Sequence, residues 1–330
     1  MNMSRCNITG IVVNYNSAKY INIVKESIDS LINISSKPII VVDNNSKDGS
    51  NNYIYEAFQG EIVPLFLHNN YGYAGAIDLA YKKFNNYLSE IFFVANNDVI
   101  IINHELANKL CKILLDKKTV ATIGAILLWP SGKINTAGFL IDKVGLLHNL
   151  CEGLTLDACN FSRDFIPVSY VSGAFTLFKK NYINLLPEKI VFPSRGFMYL
   201  DDIITGLYFS QLGFKNLIIT EPLAIHYESL STTSITKGYL LGRALAIQRK
   251  IIISPLSQIT EPYKYAIYSR LSLNQKARGS AFLAGWKTGE MEYKSHKEYW
   301  DGYRININNI EKIDENSSIF KRITRFLSER

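Results

Sequence analysis

Cysteine and histidine are scarce in this 330-residue chain, which has four of the first and five of the second. Cys6, Cys111, Cys151 and Cys159 form no CxxC pair and stand at no spacing typical of zinc ligands, which excludes a zinc ribbon and a thioredoxin-type centre. They are also few for a disulfide scaffold, so they read as reduced, buried or bystander thiols of a cytosolic protein. No uninterrupted apolar run of about 18 residues occurs, as a membrane span requires. No charged-then-apolar leader precedes the first strand pattern, and the expectation is a protein made and kept in the cytoplasm. A Gly-x-Gly-x-x-Gly turn after the first strand is missing, as is the Gly-Lys-Ser/Thr phosphate loop, so both common nucleotide signatures are excluded. Lys and Arg outnumber Asp and Glu by 36 to 29, for a net charge of +7, but no basic run has the density of a nucleic-acid-binding arm. Nucleic acid is not the expected partner.

What is present is an aliphatic, Asn- and Lys-rich chain, 47% hydrophobic and 20% charged, which suits one large α/β domain with an appendage. The first hundred residues alternate strand and helix patterns. Ile8 to Asn14 is a β-branched run, Ser17 is placed to cap a helix with apolar positions Ile21, Val24, Ile28, Leu31 and Ile32, and Pro38 to Asp43 is the next buried strand. Ile62 to Leu67, a helix from Gly72 to Leu88, and Ile91 to Ala95 continue the series. Strands apolar on both faces imply a parallel sheet covered by helices. In such a sheet the ligand sits beyond the carboxyl ends of the strands. All four ends are polar: Asn14-Tyr15-Asn16-Ser17, Asp43-Asn44-Asn45-Ser46, His68-Asn69-Asn70 and Asn96-Asn97-Asp98. One such end is an ordinary turn; four together point to a binding site.

These segments carry a resemblance. VVNYNS at 12–17, VVDNNSKDGS at 41–50, NNYGYAGAIDLAY at 69–81 and FFVANNDVII at 92–101 resemble, in order and spacing, the nucleotide-sugar motifs of the inverting glycosyltransferase family 2. With the motifs of the second half, the likeness runs over roughly residues 8 to 230. It extends to the bacterial branch that includes rhamnosyltransferases of surface-polysaccharide assembly. The resemblance implies a GT-A fold, Rossmann-like, over residues 1–230, with a nucleotide-binding half (1–100) and an acceptor half (101–230). It also implies that Asp43 accepts the N3–H of a uracil or thymine while Asn14, Tyr15 and Asn16 frame the ring. Asn70, Gly72 and Gly75 then lie beside the pyrophosphate at a helix start with free N–H groups. Asn96, Asn97 and Asp98 occupy the place of the family's DxD triplet, where Asp98 is the expected ligand of a divalent cation, Mg or Mn. The two amides are a departure, because they hydrogen-bond a ribose well and hold a cation weakly.

In the second half, Tyr170 to Phe175 is an apolar strand interrupted by Ser172 and Gly173, either a β-bulge or the family's acceptor-side strand. Asp201 and Asp202 precede the helical stretch Ile203 to Leu212 and match the family's acidic motif. Adjacent acids there either cap the helix or act on substrate. The resemblance makes Asp202 the base that deprotonates an acceptor hydroxyl and gives Asp201 an orienting role. His226 matches a histidine that completes the metal or diphosphate site, and is otherwise structural.

From Ser234 onward the chain changes character. Lys237, Arg243, Arg249 and Lys250 alternate with Leu240, Leu241, Leu245 and Ile247; a second helical stretch runs from Pro262 to Gly289; and Ile319 to Leu327 is again basic and amphipathic. The helices of 231–330 either pack on the catalytic part, join two copies in a homo-oligomer, or dock peripherally on an anionic inner leaflet. The expectation is an inverting transferase moving a sugar from dTDP-rhamnose or a UDP-hexose to a glycan, lipid-linked, of a bacterial surface. A non-catalytic partner with a degenerate GT-A fold and a sugar-nucleotide nucleotidyltransferase are the alternatives. The latter would need a Gly-rich, Arg/Lys-bearing loop where Asn14 to Ser17 stands.

Overall fold

A computed structural model of the chain describes residues 6–142, 145, 147–159, 161, 163–228, 233–253, 276–307 and 310. Four parallel strands, β1 (Ile8–Asn14), β2 (Ile39–Asp43), β3 (Ile62–Phe66) and β4 (Ile91–Asn96), lie in the spatial order β4-β1-β2-β3. The chain steps from β1 outward through β2 to β3 and then returns to the other flank of β1. That reversal opens a crevice between the carboxyl ends of β1 and β4, the place where doubly wound sheets bind ligands. Register keeps the rim level: Asn14 is opposite Asp43, Val13 opposite Asn96, and Asp43 opposite Phe66.

Alternation along β1 explains why both faces are covered. Ile8 and Val12 face one core with Val24, Ile28 and Leu31 of α1 (Ile21–Ile34) and Leu106 and Leu110 of α4 (His104–Asp116). Ile11 and Val13 face the other core with Ala74, Ile77 and Ala80 of α3 (Gly72–Phe84). Between α1 and α3 the short α2 (Ser50–Ala57) follows β2. The three residues Val99–Ile101 (β5) leave the main path to pair with a later strand.

The second half extends the sheet with mixed polarity. β6 (Val120–Leu128) is followed by β7 (Ile134–Thr136), which pairs back on it, and by the hairpin β8 (Phe139–Ile141) and β9 (Leu147–Asn149). After the short α5 (Leu156–Cys159), β10 (Phe165–Val168) takes the sheet edge and β11 (Phe175–Lys179) inserts antiparallel between β4 and β6. The expected strand over Tyr170 to Phe175 is therefore displaced. Tyr170 makes a single bridge to Phe139, Ser172 to Ala174 form a turn, and the strand begins at Phe175. α6 (Lys180–Ile183) and α7 (Asp201–Gln211) lead to β12 (Lys215–His226), a long strand with irregular register around Pro222.

The C-terminal part comprises α8 (Ser234–Ile251), β13 (Ile252–Ile253), α9 (Lys276–Ser295), α10 (Lys297–Asp301) and β14 (Ile305–Asn306). Of the expected helix from Pro262 to Gly289, residues 262–275 lie outside the described residues, as does the terminal stretch Ile319 to Leu327. α8 does not present a free basic face. Lys237 pairs with Glu228 at 3.0 Å, Arg243 with Glu292 at 2.6 Å and Arg249 with Glu290 at 2.7 Å. Arg243 and Arg249 thus pack against two carboxylates of α9, a pairing that no local pattern announces. No described helix is long and apolar enough to cross a membrane.

Two further expectations are corrected. Ser17 makes no capping bond; its hydroxyl donates to Asn14 Oδ1, and a 3-10 turn, Ala18–Tyr20, intervenes before α1. The cysteines are paired rather than free: Cys6 with Cys111, Cα atoms 6.2 Å apart, and Cys151 with Cys159, 5.8 Å apart, both within disulfide reach. Cys6 and Cys111 are 105 residues apart and meet only because α4 packs beside the start of β1, so spacing conceals them.

Candidate active site

Asn14, 1% exposed, is the hub of the rim. Its Nδ2 lies 3.1 Å from Asp43 Oδ1, 3.1 Å from Ser50 Oγ and 3.3 Å from Ser46 Oγ, and its Oδ1 accepts from Ser17 Oγ and from Asn97 Nδ2 at 3.0 Å. One amide thus ties the ends of β1, β2 and β4. Asp43 also accepts the Ser46 N–H at 3.0 Å, which aims its carboxylate at the crevice with lone pairs to spare. Tyr15 is exposed beside it. Asn16, in the left-handed region at φ 46°, bridges to the β2 loop through the Lys47 N–H and the Ser46 hydroxyl.

The third loop is tied to the second by Asn44. Its Nδ2 donates to Asn70 Oδ1 at 2.9 Å and to the Gly72 carbonyl at 3.1 Å, and its Oδ1 accepts the Tyr71 N–H at 2.9 Å. Gly72 has φ +71°, and a Cβ there would meet the Phe197 ring and carbonyl at 2.5 Å, so only glycine fits. Gly75 allows the same tightness against Tyr71. The helix start is not a row of open donors: Gly72 N–H goes to Asn70 Oδ1 and Ala74 N–H to the Phe197 carbonyl. The free N–H groups expected at this turn are in part already used by the protein itself.

Within the triplet, Asn97 serves Asn14, and Asn96 Nδ2 lies 3.4 Å from His226 Nε2. Asp98 is buried, and its Oδ1 has no hydrogen-bond partner. His226 Nε2 stands 3.4 Å from that oxygen. The tautomer follows from Asn135, whose Nδ2 donates to Glu228 Oε2 at 2.9 Å, leaving Oδ1 to accept from His226 Nδ1–H at 2.9 Å. In the neutral ring the Nε2 lone pair therefore faces the orphaned Asp98 oxygen. A buried carboxylate oxygen with no hydrogen-bond partner, beside an imidazole nitrogen whose ring is oriented by an amide oxygen, fits a cation in the arrangement common around metal-bound histidines. No cluster of three or more His, Cys, Asp or Glu gathers among the described residues, so the remaining ligands of a cation here would be phosphate oxygens and water.

On the acceptor side, Asp202 sits in the first turn of α7. Its Oδ2 accepts the Gly173 N–H at 2.8 Å and its Oδ1 the Ile203 N–H at 2.9 Å. A Cβ on Gly173 would stand 3.3 Å from that carboxylate, which accounts for the glycine without a bulge. Ser172 closes the turn by accepting the Ala174 N–H. Burial raises the Asp202 carboxyl, against the lowering pull of those N–H bonds. Asp201, deeper still, is pushed up to about 7 by burial and by Asp202, partly countered by the Leu200 N–H and by Arg243. The two halves of the site join here. The Asn96 N–H donates to the Ala174 carbonyl at 3.0 Å, and the Tyr73 hydroxyl donates to the Gly173 carbonyl at 2.8 Å. Burial and the fields of Asp201, Asp202 and Asp98 all hold the Tyr73 phenol well above its ordinary range. One hydroxyl therefore feels all three carboxylates.

Residues 9–133 match the glycosyl transferase family 2 model. Over those residues the chain carries a family 2 glycosyl transferase domain, and its fold is of the GT-A type. In fold it is similar to the mannosyltransferase PcManGT from Pyrobaculum calidifontis, in complex with GDP-Man and Mn2+, at 15% identity and TM-score 0.51 over 91% of this chain and 86% of that one. It is similar to GalNAc-T7 with UDP, GalNAc and Mn2+ at 12% identity and TM-score 0.55, over 90% of this chain and 59% of that longer one. S. aureus TarS 1-349 in complex with UDP-GlcNAc follows at 15% identity and TM-score 0.50, with 90% and 89% covered. No curated protein matches the chain by sequence.

The crevice also contains residues that the sequence motifs do not single out. Asn44 is visible in the sequence only as one member of a polar turn, and Tyr73 only as part of the glycine-rich segment. Asn135 lies in the three-residue strand β7, Ile-Asn-Thr, and its burial emerges only with the fold. Arg243 has none beyond its charge, because the carbonyls it binds are 47 and 48 residues away.

Proposed function

We propose that this nucleotide-sugar-dependent glycosyltransferase inverts the anomeric centre as it moves a sugar from a dTDP- or UDP-sugar to a hydroxyl of a bacterial surface glycan, lipid-linked when it accepts. The observation that carries the reading is Asp202, a carboxylate fixed by the Gly173 and Ile203 N–H groups at the start of α7, with its proton affinity raised by burial. A base poised this way takes the acceptor proton as the oxygen attacks the anomeric carbon, and a higher proton affinity makes the transfer more favourable. Asp201 stays within the fold and orients the helix start. The Asp43 carboxylate accepts a pyrimidine N3–H, and Tyr15 offers a ring face beside it.

Asp98 and His226 would hold Mg2+ or Mn2+, which when bound supplies positive charge to the leaving diphosphate. The chain's own contribution there is an oriented lone pair, set by Asn135, and a carboxylate oxygen with no other partner. Among donors, the likeness to rhamnosyltransferases puts dTDP-rhamnose first and UDP-hexoses second.

The test is donor turnover by purified protein with UDP-, dTDP- and GDP-sugars, with and without Mg2+ or Mn2+, for wild type and Asp202→Asn. Turnover lowered by about 10²–10⁴-fold in the variant is the expected result. Equal turnover in both sinks Asp202 as the base, and a thermal shift with GDP-sugars alone sinks the pyrimidine assignment.

A further inference from the structure

The segment joining α6 to the acidic motif is under backbone strain. Phe197 and Tyr199 both lie in the left-handed region, at φ 64° and 67°, two residues of bulky type within three positions of each other. Each such residue persists there only where its surroundings over-determine it. The surroundings here come from two directions. From the donor side, the Ala74 N–H holds the Phe197 carbonyl and Gly72 makes room for the Phe197 ring. From the other side, the hold comes from the C-terminal helices.

Arg243 of α8 is the centre of that hold. It is 7% exposed. Its Nε and Nη2 donate to the two carboxylate oxygens of Glu292 on α9 at 2.8 and 2.6 Å, its Nη1 to the Gly196 carbonyl at 2.7 Å, and its Nη2 also to the Arg195 carbonyl at 2.8 Å. A planar fork bound on one edge by a carboxylate and on the other by two consecutive carbonyls has no freedom to turn. Tyr299 of α10 adds a third tie, its hydroxyl accepting the Arg195 N–H and meeting Ser194 Oγ, each at 3.2 Å. Beneath the loop, Leu200, Ile203, Ile204 and Leu207 share one apolar cluster with Ile247, Ile251 and Trp300.

The guanidinium reaches this position because α8 and α9 lie unusually close. Gly238 and Gly242 on α8 face α9, and Gly285 and Gly289 on α9 face α8; a Cβ on Gly242, Gly285 or Gly289 would overlap the opposite backbone. Two Gly-x-x-x-Gly pairs therefore seat the helices backbone to backbone, with Arg243 between them and the loop. A second pair on the same helices, Arg249 with Glu290 at 2.7 Å, touches no part of the loop in the bonds it makes.

We infer that Arg243, locked by Glu292, is a positioning residue for catalysis: it fixes the strained 195–200 segment so that Asp202 meets the acceptor hydroxyl, and the C-terminal helix pair is the buttress of the base. The inference rests on the reading of Asp202 as that base. Displacement of a catalytic group by about 1 Å, from a change remote from the chemistry, costs about 100-fold in rate.

The decisive variant is the double substitution Arg243→Met with Glu292→Met. Exchanging both members of a buried pair for apolar side chains of similar volume is commonly neutral for folding, so what the double variant loses is the donor to the Arg195 and Gly196 carbonyls, and the protein still folds. The expected result is a thermal midpoint lowered by only a few degrees, kcat down about 100-fold with donor KM within about threefold, and faster amide hydrogen exchange confined to residues 195–203. Arg243→Lys keeps the charge, loses the fork and falls between the two. The control, Arg249→Met with Glu290→Met, keeps kcat within about twofold of wild type. Three results overturn the inference: kcat of the Arg243 double variant equal to wild type, an equal loss in the control pair, or unchanged exchange over 195–203. Should wild-type protein turn over no sugar nucleotide, the proposed function fails, while the exchange measurement still decides the clamp.

Discussion

The donor rim and the base loop are held by opposite means. Around the crevice the strand ends hold one another: Asn14 joins three of them, Asn44 joins two loops, and the partners lie on the strand ends and on the loops and helix starts that follow them. The 195–200 segment makes few such local bonds and is fixed by Arg243 and Tyr299 from the far C-terminal helices and by Ala74 from α3. A site that only binds is stable where its polar groups satisfy each other. A group that must approach a reacting atom needs orientation its own neighbours cannot supply, and here remote elements supply it. Lesions in the two regions should therefore differ in kind, affecting stability and binding in the first and rate in the second.

The largest effect expected is the loss of turnover in Asp202→Asn, about 10²–10⁴-fold, because the amide keeps the shape and cannot take a proton. Donor binding measured by thermal shift should hardly change, since the contacts of the rim remain. A variant that loses donor affinity and turnover together would erase the distinction between the regions.

Next is the pH dependence of stability. Asp201 is raised from 3.8 to about 7 by burial and by Asp202, with Arg243 opposing. In the unfolded chain the carboxyl loses its proton near its ordinary value, while in the fold it keeps it until about 7. Within that window the folded state binds more protons, so stability present at low pH is lost as pH rises from about 4 to about 7, by an amount on the order of a few kcal/mol. Asp202, raised in the same direction, adds to the trend. Urea midpoints across this range should fall with pH in wild type and fall less in Asp201→Asn. Equal slopes would remove Asp201 from the set of protonated buried acids.

Much of the rim was legible from sequence because each strand end is a run of a few polar residues after a β-branched stretch, and parallel topology sends all such ends to one side. Asp43, Asn70 and Asp98 are found there as expected. What escaped is what depends on distance in the chain. The Cys6–Cys111 pair, the grip of Arg243 on Gly196 and the Asn135–His226 bond join residues 105, 47 and 91 positions apart. No local period encodes them. The basic stripe of α8 was visible, but its partners Glu290 and Glu292 lie on a helix whose packing partner only the fold decides.

Asn14→Ala tests the self-held rim. It leaves Asp43 Oδ1 without its Asn14 bond, and Ser17 and Asn97 without their shared acceptor. Unsatisfied buried groups cost about 1–3 kcal/mol, and urea unfolding should show a loss of that size together with weaker donor binding. A stable variant with normal affinity and reduced kcat would invert the comparison.

The smallest effect is the most discriminating, since Tyr73 belongs to both regions. It stands on the donor helix α3, and its hydroxyl donates to the Gly173 carbonyl, whose own N–H holds Asp202. Tyr73→Phe removes one hydrogen bond and no ring contact with Phe192. A lost bond of this type is worth about 0.5–1.5 kcal/mol. If the bond works through the base, the loss falls on kcat by about tenfold at most, with the melting point lowered by little. If it only ties α3 to the acceptor turn, stability falls by the same energy and kcat is untouched. Measuring both on one variant assigns Tyr73 to the region it serves.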